Sequence, residues 1–262
     1  MTAPPAWGRA LRAVILAEMA GFWGGAAAGL ALLVFLGLSG FFFYNNVADY
    51  VLNSLDAAAR GLQLNASLAL FAQGLTHLPL VMLLVAPLTT MRSLAASRRG
   101  GHLDYLETLP LSDGVLILGH YLAAWINLGL LALLGLIPFA ALLLLGVGEA
   151  EVLATTLTGL AALASVFAAV GLLASAVFPG ATGAGLATLG LLGLMWVLGW
   201  AAPYAEDGWG AVWRGLAFAP RMNRFVLGLV DFRDLFFFAA LTGLALANAK
   251  LALARRRFGG AD

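Results

Sequence analysis

No cysteine occurs in the chain, which excludes disulfides, thiolate metal sites and cysteine nucleophiles. Histidine is almost as scarce: His77, His102 and His120 stand far apart, which argues against a histidine metal centre. Charge is the third shortage. Only 10% of the 262 residues are charged and 62% are hydrophobic, where a soluble domain carries about 25% charged residues. With a mean hydropathy of +0.96, this is the composition of a membrane protein. The formal net charge of +1 gives no reason to expect nucleic acid as a partner. Also missing is any Gly-x-x-x-x-Gly-Lys-Ser/Thr run, so the chain does not itself cradle ATP phosphates in the usual way. The N-terminal stretch lacks a small-residue cleavage site, and its first apolar run is too long for a signal peptide, so it is expected to be retained.

What is present is long apolar runs. A segment crossing lipid must satisfy its own backbone polar groups, and with ~20 apolar residues that means an α-helix. Residues 1–18 come first, with Trp7, Ala10, Leu11, Val14 and Ile15 on one helical stripe and Arg9, Arg12 and Glu18 off it, as in an amphipathic helix lying in the interface. Spans are expected at about Met19–Phe43, Leu64–Thr89 and Val115–Leu145, the last with Pro138 as a kink. The uncharged stretch from Val152 to Tyr204 is twice a single crossing. Pro179-Gly180 divides it into spans at Val152–Phe178 and Ala181–Ala202. A sixth span covers Leu235–Ala254, and a loop with Asn45, Asn46, Asp49, Asp56 and Arg60 follows the first. The fold class is therefore all-α integral membrane with six spans in a single domain, 1–262.

Lysine and arginine set the orientation. With the N-terminus cytoplasmic, Arg9, Arg12, Arg92, Arg98, Arg99, Lys250, Arg255, Arg256 and Arg257 lie inside, and Arg60, Arg214, Arg221, Arg224 and Arg233 lie outside among acids. Both termini are then cytoplasmic. The aromatic, arginine-bearing segment 204–234 falls outside. It reads as two short re-entrant or interfacial pieces, Trp209–Phe218 and Phe225–Val230, broken at Ala219-Pro220.

The chain is organised around a charged island, 88–114, between spans two and three. Leu103, Leu106 and Leu109 fall on one face of a short helix ending at Pro110, with Asp104 and Glu107 on another and Ser112 placed to cap span three. Leucines at helical spacing in a polar segment imply a partner groove, so a soluble partner is expected to dock here.

The run Met91-Arg92, Arg98-Arg99-x-Gly101, Asp104-x-x-Glu107, Leu109-Pro110-Leu111-Ser112-Asp113 and Leu116-x-Leu118-Gly119 resembles permease subunits of the ABC type-2 exporters. It is most similar to the branch with gliding-motility permeases and the permease serving nitrous-oxide-reductase maturation. Phe225-x-x-Gly228-Leu229-Val230-Asp231-Phe232-Arg233-Asp234-Leu235, a last span and Arg255-Arg256-Arg257 resemble the same branch. Departures are Ala95-Ala96-Ser97 where the family has an acidic pair, Gly101-His102-Leu103-Asp104 for its Gly-Thr-x-Glu, and His120 for a lysine. The resemblance implies a pair of permeases, like or unlike, docked on a cytoplasmic ABC ATPase dimer. It implies ATPase coupling through Arg98, Arg99, Gly101, His102, Leu103, Asp104, Leu106, Glu107, Leu109 and Pro110. ATP and Mg are then expected in the partner ATPase, with no cofactor and no enzyme activity in this chain.

Other motifs have blander explanations beside functional ones. Outside, Arg214, Arg221, Arg224 and Arg233 with Asp231 and Asp234 either meet an anionic lipid headgroup or a periplasmic protein, or pair among themselves. His77 and His120 fall in the cytoplasmic or middle parts of spans, where a histidine packed between helices is commoner than a proton or ligand site. Gly37-Leu38-Ser39-Gly40 resembles the Gly-x-Ser-Gly of rhomboid proteases, with His77 as the only candidate base. Small residues at helix contacts explain it; for Gly21, Gly25 and Gly29 and for Gly183, Gly185, Gly190 and Gly193 the readings are packing within the bundle or a homodimer seam.

The expected function is an ATP-driven exporter's permease, moving an amphipathic or lipid-like cargo or passing force across the membrane. Apolar spans argue against a permanent water-filled ion path. The alternatives are an intramembrane enzyme built on Ser39 and His77, and a non-transporting membrane scaffold.

Overall fold

The computed structural model describes residues 7–62, 65–91, 93, 113–204 and 208–259. Its helices are α1 (Trp7–Trp23), α2 (Ala26–Ala59), α3 (Leu78–Thr90), α4 (Asp113–Leu144), α5 (Ala150–Val177), α6 (Ala181–Ala201), α7 (Trp209–Leu216), α8 (Ala219–Val226) and α9 (Phe232–Gly259). A π-helical turn, Ser67–Ala72, and the short helix Gln73–Leu75 lead into α3. Among the described residues there is no strand. Six helical stretches are long and apolar enough to cross a membrane: Ala26–Ala59, Ala69–Thr90, Gly114–Leu144, Ala150–Val177, Ala181–Tyr204 and Phe232–Arg255. The chain is a multi-pass, all-helical membrane protein.

The bundle is built around α5. Leu160, Leu163, Ala164, Val166, Phe167, Ala168 and Ala169 on it are inaccessible to solvent, and α9, α4, α6, α3 and α8 all pack against it. Its composition explains the position: alanines, Gly159 and Gly171 let neighbours come close, the route to tight helix contact where lipid is as apolar as leucine. A Cβ on Gly159 would sit 2.6 Å from the Phe225 ring, and one on Gly171 would collide with Thr90 of α3. Polar side chains join α5 to the rest. Trp125 Nε1 of α4 donates to Ala161 O at 2.9 Å, Ser165 Oγ and Thr242 Oγ1 of α9 are 2.9 Å apart, and Thr155 Oγ1 donates to Phe225 O at 2.8 Å.

Several boundaries differ from the sequence reading. Residues 45–59, expected as a loop, continue α2, which at 34 residues is about 51 Å long and outruns a hydrocarbon core of about 30 Å. Helical spacing explains this: Asn46, Asp49, Tyr50, Asn53, Asp56, Ala57 and Arg60 line one face and border a polar cavity of about 420 Å³ with Ala69 and Gln73. Only Asn46 of that face is anchored, donating to Leu70 O at 2.7 Å. The second span is broken at Thr76–His77, just before Pro79 at the start of α3. In the 204–234 segment the second short helix is Ala219–Val226, where Phe225–Val230 was expected; it starts at the Ala219-Pro220 break itself, because proline at the first helical turn needs no N–H partner. Helix α4 runs through Pro138.

The stripe of α1 is partly turned to protein, with Trp7 at its start left exposed. Ala10 and Val14 are buried, and a Cβ on Gly119 would lie 2.5 Å from Val14 Cγ1. Trp23 Nε1 donates to Asn127 Oδ1 of α4 at 2.9 Å. The contacts ascend both helices together, so α1 runs alongside α4 in the same sense until the chain turns at Gly24-Gly25.

Candidate functional site

The coupling residues Arg98, Arg99, Gly101, His102, Leu103, Asp104, Leu106, Glu107, Leu109 and Pro110, with Ser112, lie outside the described residues. The helix ends that bracket them are described, and both are held in the bundle. At the end of α3, Thr90 is 1% exposed and packs on Gly171 of α5. At the start of α4, Val115, Leu116 and Ile117 are buried, Ile117 in a cluster with Leu172 and Ala176 of α5 and Ala249 of α9.

The same end of the bundle holds a buried polar pair. His120 of α4 is 2% exposed; its Nε2 lies 3.1 Å from Glu18 Oε1 of α1, and its Nδ1 lies 2.8 Å from Leu116 O. A carbonyl can only accept, so Nδ1 carries a proton. Nε2 has no well-aligned hydrogen-bond partner, so its contact with Glu18 is one of proximity. Nothing at the level of sequence paired these residues, because Glu18 lies off the apolar stripe of α1. The available signal was a lone acid at the edge of an apolar run.

At the opposite end, 225–235 resolves into a helix stop and a helix start. Gly228 has φ +81°, Leu229 N donates to Arg224 O at 2.9 Å and Gly228 N to Phe225 O at 3.1 Å, closing α8 in a Schellman turn. Asp231 Oδ1 then accepts from Arg233 N at 2.8 Å and caps α9. One turn on, Asp234 is wholly buried. Arg221 Nη1 donates to its Oδ1 at 2.6 Å, Arg224 Nε to its Oδ2 at 2.7 Å, and Arg224 Nη2 also donates to Oδ1. Arg221 Nη2 reaches Gly215 O of α7 at 2.6 Å while its guanidinium stacks 3.8 Å from the Phe237 ring centroid. Hydrogen bonding to Asp234 pushes the Arg224 guanidinium above its usual pKa, against a smaller effect of burial. Of the two readings of this segment, Arg221, Arg224 and Asp234 pair among themselves and tie α7, α8 and α9 together. Arg214 and Arg233 remain exposed.

His77 lies within the Ala69–Thr90 stretch. Its ring stacks on Phe42 (centroids 4.6 Å apart, planes 10° apart), and it faces the ends of α6 and α8. The Ser39 hydroxyl has no hydrogen-bond partner, so no nucleophile–base hydrogen bond joins it to His77. Among the described residues no group of three or more His, Asp or Glu is placed to hold a metal. The fold and these sites define a helical multi-pass membrane protein with one polar latch at each end. No family model matches the chain, and no curated protein matches it.

Proposed function

We propose that the chain is the membrane-spanning permease subunit of an ATP-driven exporter of the ABC type-2 kind, working as a pair on a cytoplasmic ATPase dimer in a bacterial inner membrane. The observation that carries this reading is the anchoring of both helix ends around the charged island. Thr90 of α3 and Ile117 of α4 are each packed on α5, so a push on the segment between them reaches the centre of the bundle. A loop that only connects two spans needs no such anchoring, and the leucines at helical spacing within it suit insertion into a partner's groove.

Charge supports the cytoplasmic placement of that end. Arg9, Arg12, Lys250 and Arg255 are exposed there. At the other end Arg221 and Arg224 share the charge of Asp234, which leaves Arg60, Arg214 and Arg233 as exposed cations. In the proposed cycle ATP binding closes the ATPase pair, the island moves with it, and α3 and α4 transmit the shift to α5. Cargo is amphipathic or lipid-like, or the movement is handed to a periplasmic protein.

Co-purification tests the proposal. The chain expressed with its neighbouring reading frames is expected to bring down an ATPase, and Leu103→Asp or Leu106→Asp is expected to abolish that association without loss of the folded bundle. Retention of the ATPase by both variants overturns the coupling role of the island.

A further inference from the structure

Between the start of α3, the end of α6 and α8 lies a cavity of about 400 Å³, lined mainly by Leu80, Trp196, Trp200, Met222 and Val226, with His77 in its wall. The size is at the small end of ligand pockets, which run from about 300 to 1,000 Å³. It suits a small amphiphile or one chain of a lipid. Two features say what would sit there. The rim is aromatic at the end of a span, with Trp200 60% exposed, the level at which tryptophan meets lipid headgroups. And His77 is poised to donate. Its Nδ1 is sealed from solvent with no partner, and a sealed nitrogen without an acceptor is less costly as a lone pair than as an N–H. A proton on Nε2 would make that nitrogen the ring's donor to a guest, while Phe42 covers a face of the imidazole.

We infer that this cavity binds an amphiphile with one apolar chain and a hydrogen-bond-accepting head, such as a carboxylate or phosphate ester. The chain lies against Trp196, Leu80 and Val226, and the head accepts from His77 Nε2. This deepens the export reading and rests on it only for naming the occupant as cargo. A resident lipid of the outer leaflet offers the same chemistry.

The test uses the full chain in phospholipid nanodiscs and a long-chain fatty acid carrying a diazirine near its tail. Saturable photolabelling is expected in peptides spanning 76–80, 196–200 and 219–226. His77→Phe keeps a flat ring against Phe42 and removes the donor; it is expected to weaken labelling roughly tenfold. Leu80→Trp, at a half-buried wall position, is expected to abolish it with the unfolding midpoint unchanged. Label spread without saturation over the lipid-facing helices, or labelling unchanged in both variants, overturns the inference. A phospholipid with the diazirine in one chain separates the sources: labelling by it irrespective of ATP marks a lipid site, and labelling by the fatty acid that ATP and the ATPase discharge marks cargo. Saturable labelling in a chain that recruits no ATPase leaves the site standing and removes the export reading.

Discussion

Removing the charge of Asp234 is expected to loosen the α7–α8–α9 end of the bundle by an amount the structure allows to be worked out. Asp234 is fully buried and accepts from both Arg221 and Arg224. In Asp234→Asn the shape survives, but an amide NH₂ faces guanidinium donors and Arg221, with a side chain only 15% exposed, keeps its bond to Gly215 O and loses its counter-charge. Breaking a buried pair by removing one partner costs about 3–5 kcal/mol. Arg224 is 42% exposed, so water takes back part of its charge, and its share must be discounted. The estimate is therefore about 3 kcal/mol, more than a hundredfold in the folded ratio. Arg224→Gln leaves the Arg221–Asp234 bond standing and is expected to cost about 1 kcal/mol. The pair Arg221→Met with Asp234→Leu, apolar replacements of similar size, is expected to recover most of the loss. The assay is reversible unfolding in mixed micelles followed by tryptophan fluorescence. A wild-type midpoint for Asp234→Asn would refute the claim that the cluster holds this end together.

At the other end, Glu18→Leu is expected to cost about 1–3 kcal/mol by leaving the buried His120 without its acidic neighbour, and Glu18→Leu with His120→Phe to cost less than the sum of the single changes; the same unfolding assay gives the coupling. Gly119→Val and Gly171→Val force side chains into Val14 and Thr90, and an overpacking loss of about 1–3 kcal/mol is expected, with earlier proteolysis in α1 for the former. A cysteine at Ser97 is expected to be shielded from a membrane-impermeant maleimide in intact cells and one at Asn53 to react; the reverse pattern would invert the topology. Ser39→Ala is expected to leave ATPase recruitment and transport unchanged, and loss of activity in it would favour the enzyme alternative.

Much of the fold was legible because lipid is an unforgiving solvent. Each uncharged run of sufficient length has to be a helix, since no water is there to satisfy an open backbone. The six spans and the hairpin at Pro179-Gly180 follow from that constraint. Less legible was what covers each apolar face. The stripe Trp7, Ala10, Leu11, Val14 and Ile15 reads as a membrane-facing surface, yet Ala10 and Val14 are buried in protein while Trp7 stays exposed, because a period of 3.6 reports apolarity and not whether lipid or protein supplies the contact. The residues 45–60 read as a loop because they are polar, and a polar stripe with helical spacing is helix wherever its other faces suit one.

The sequence by itself determined the class, the number of crossings and the asymmetry of charge, all of which depend on composition along a line. Only the tertiary structure decided the pairings. It joined Asp234 to Arg221 and Arg224, brought Glu18 to His120 across more than a hundred positions, and turned His77 toward the cavity beside Trp200. Such contacts depend on how helices rotate against one another. Close approach at a few glycines sets that rotation, where a single methyl group would have moved the neighbour away.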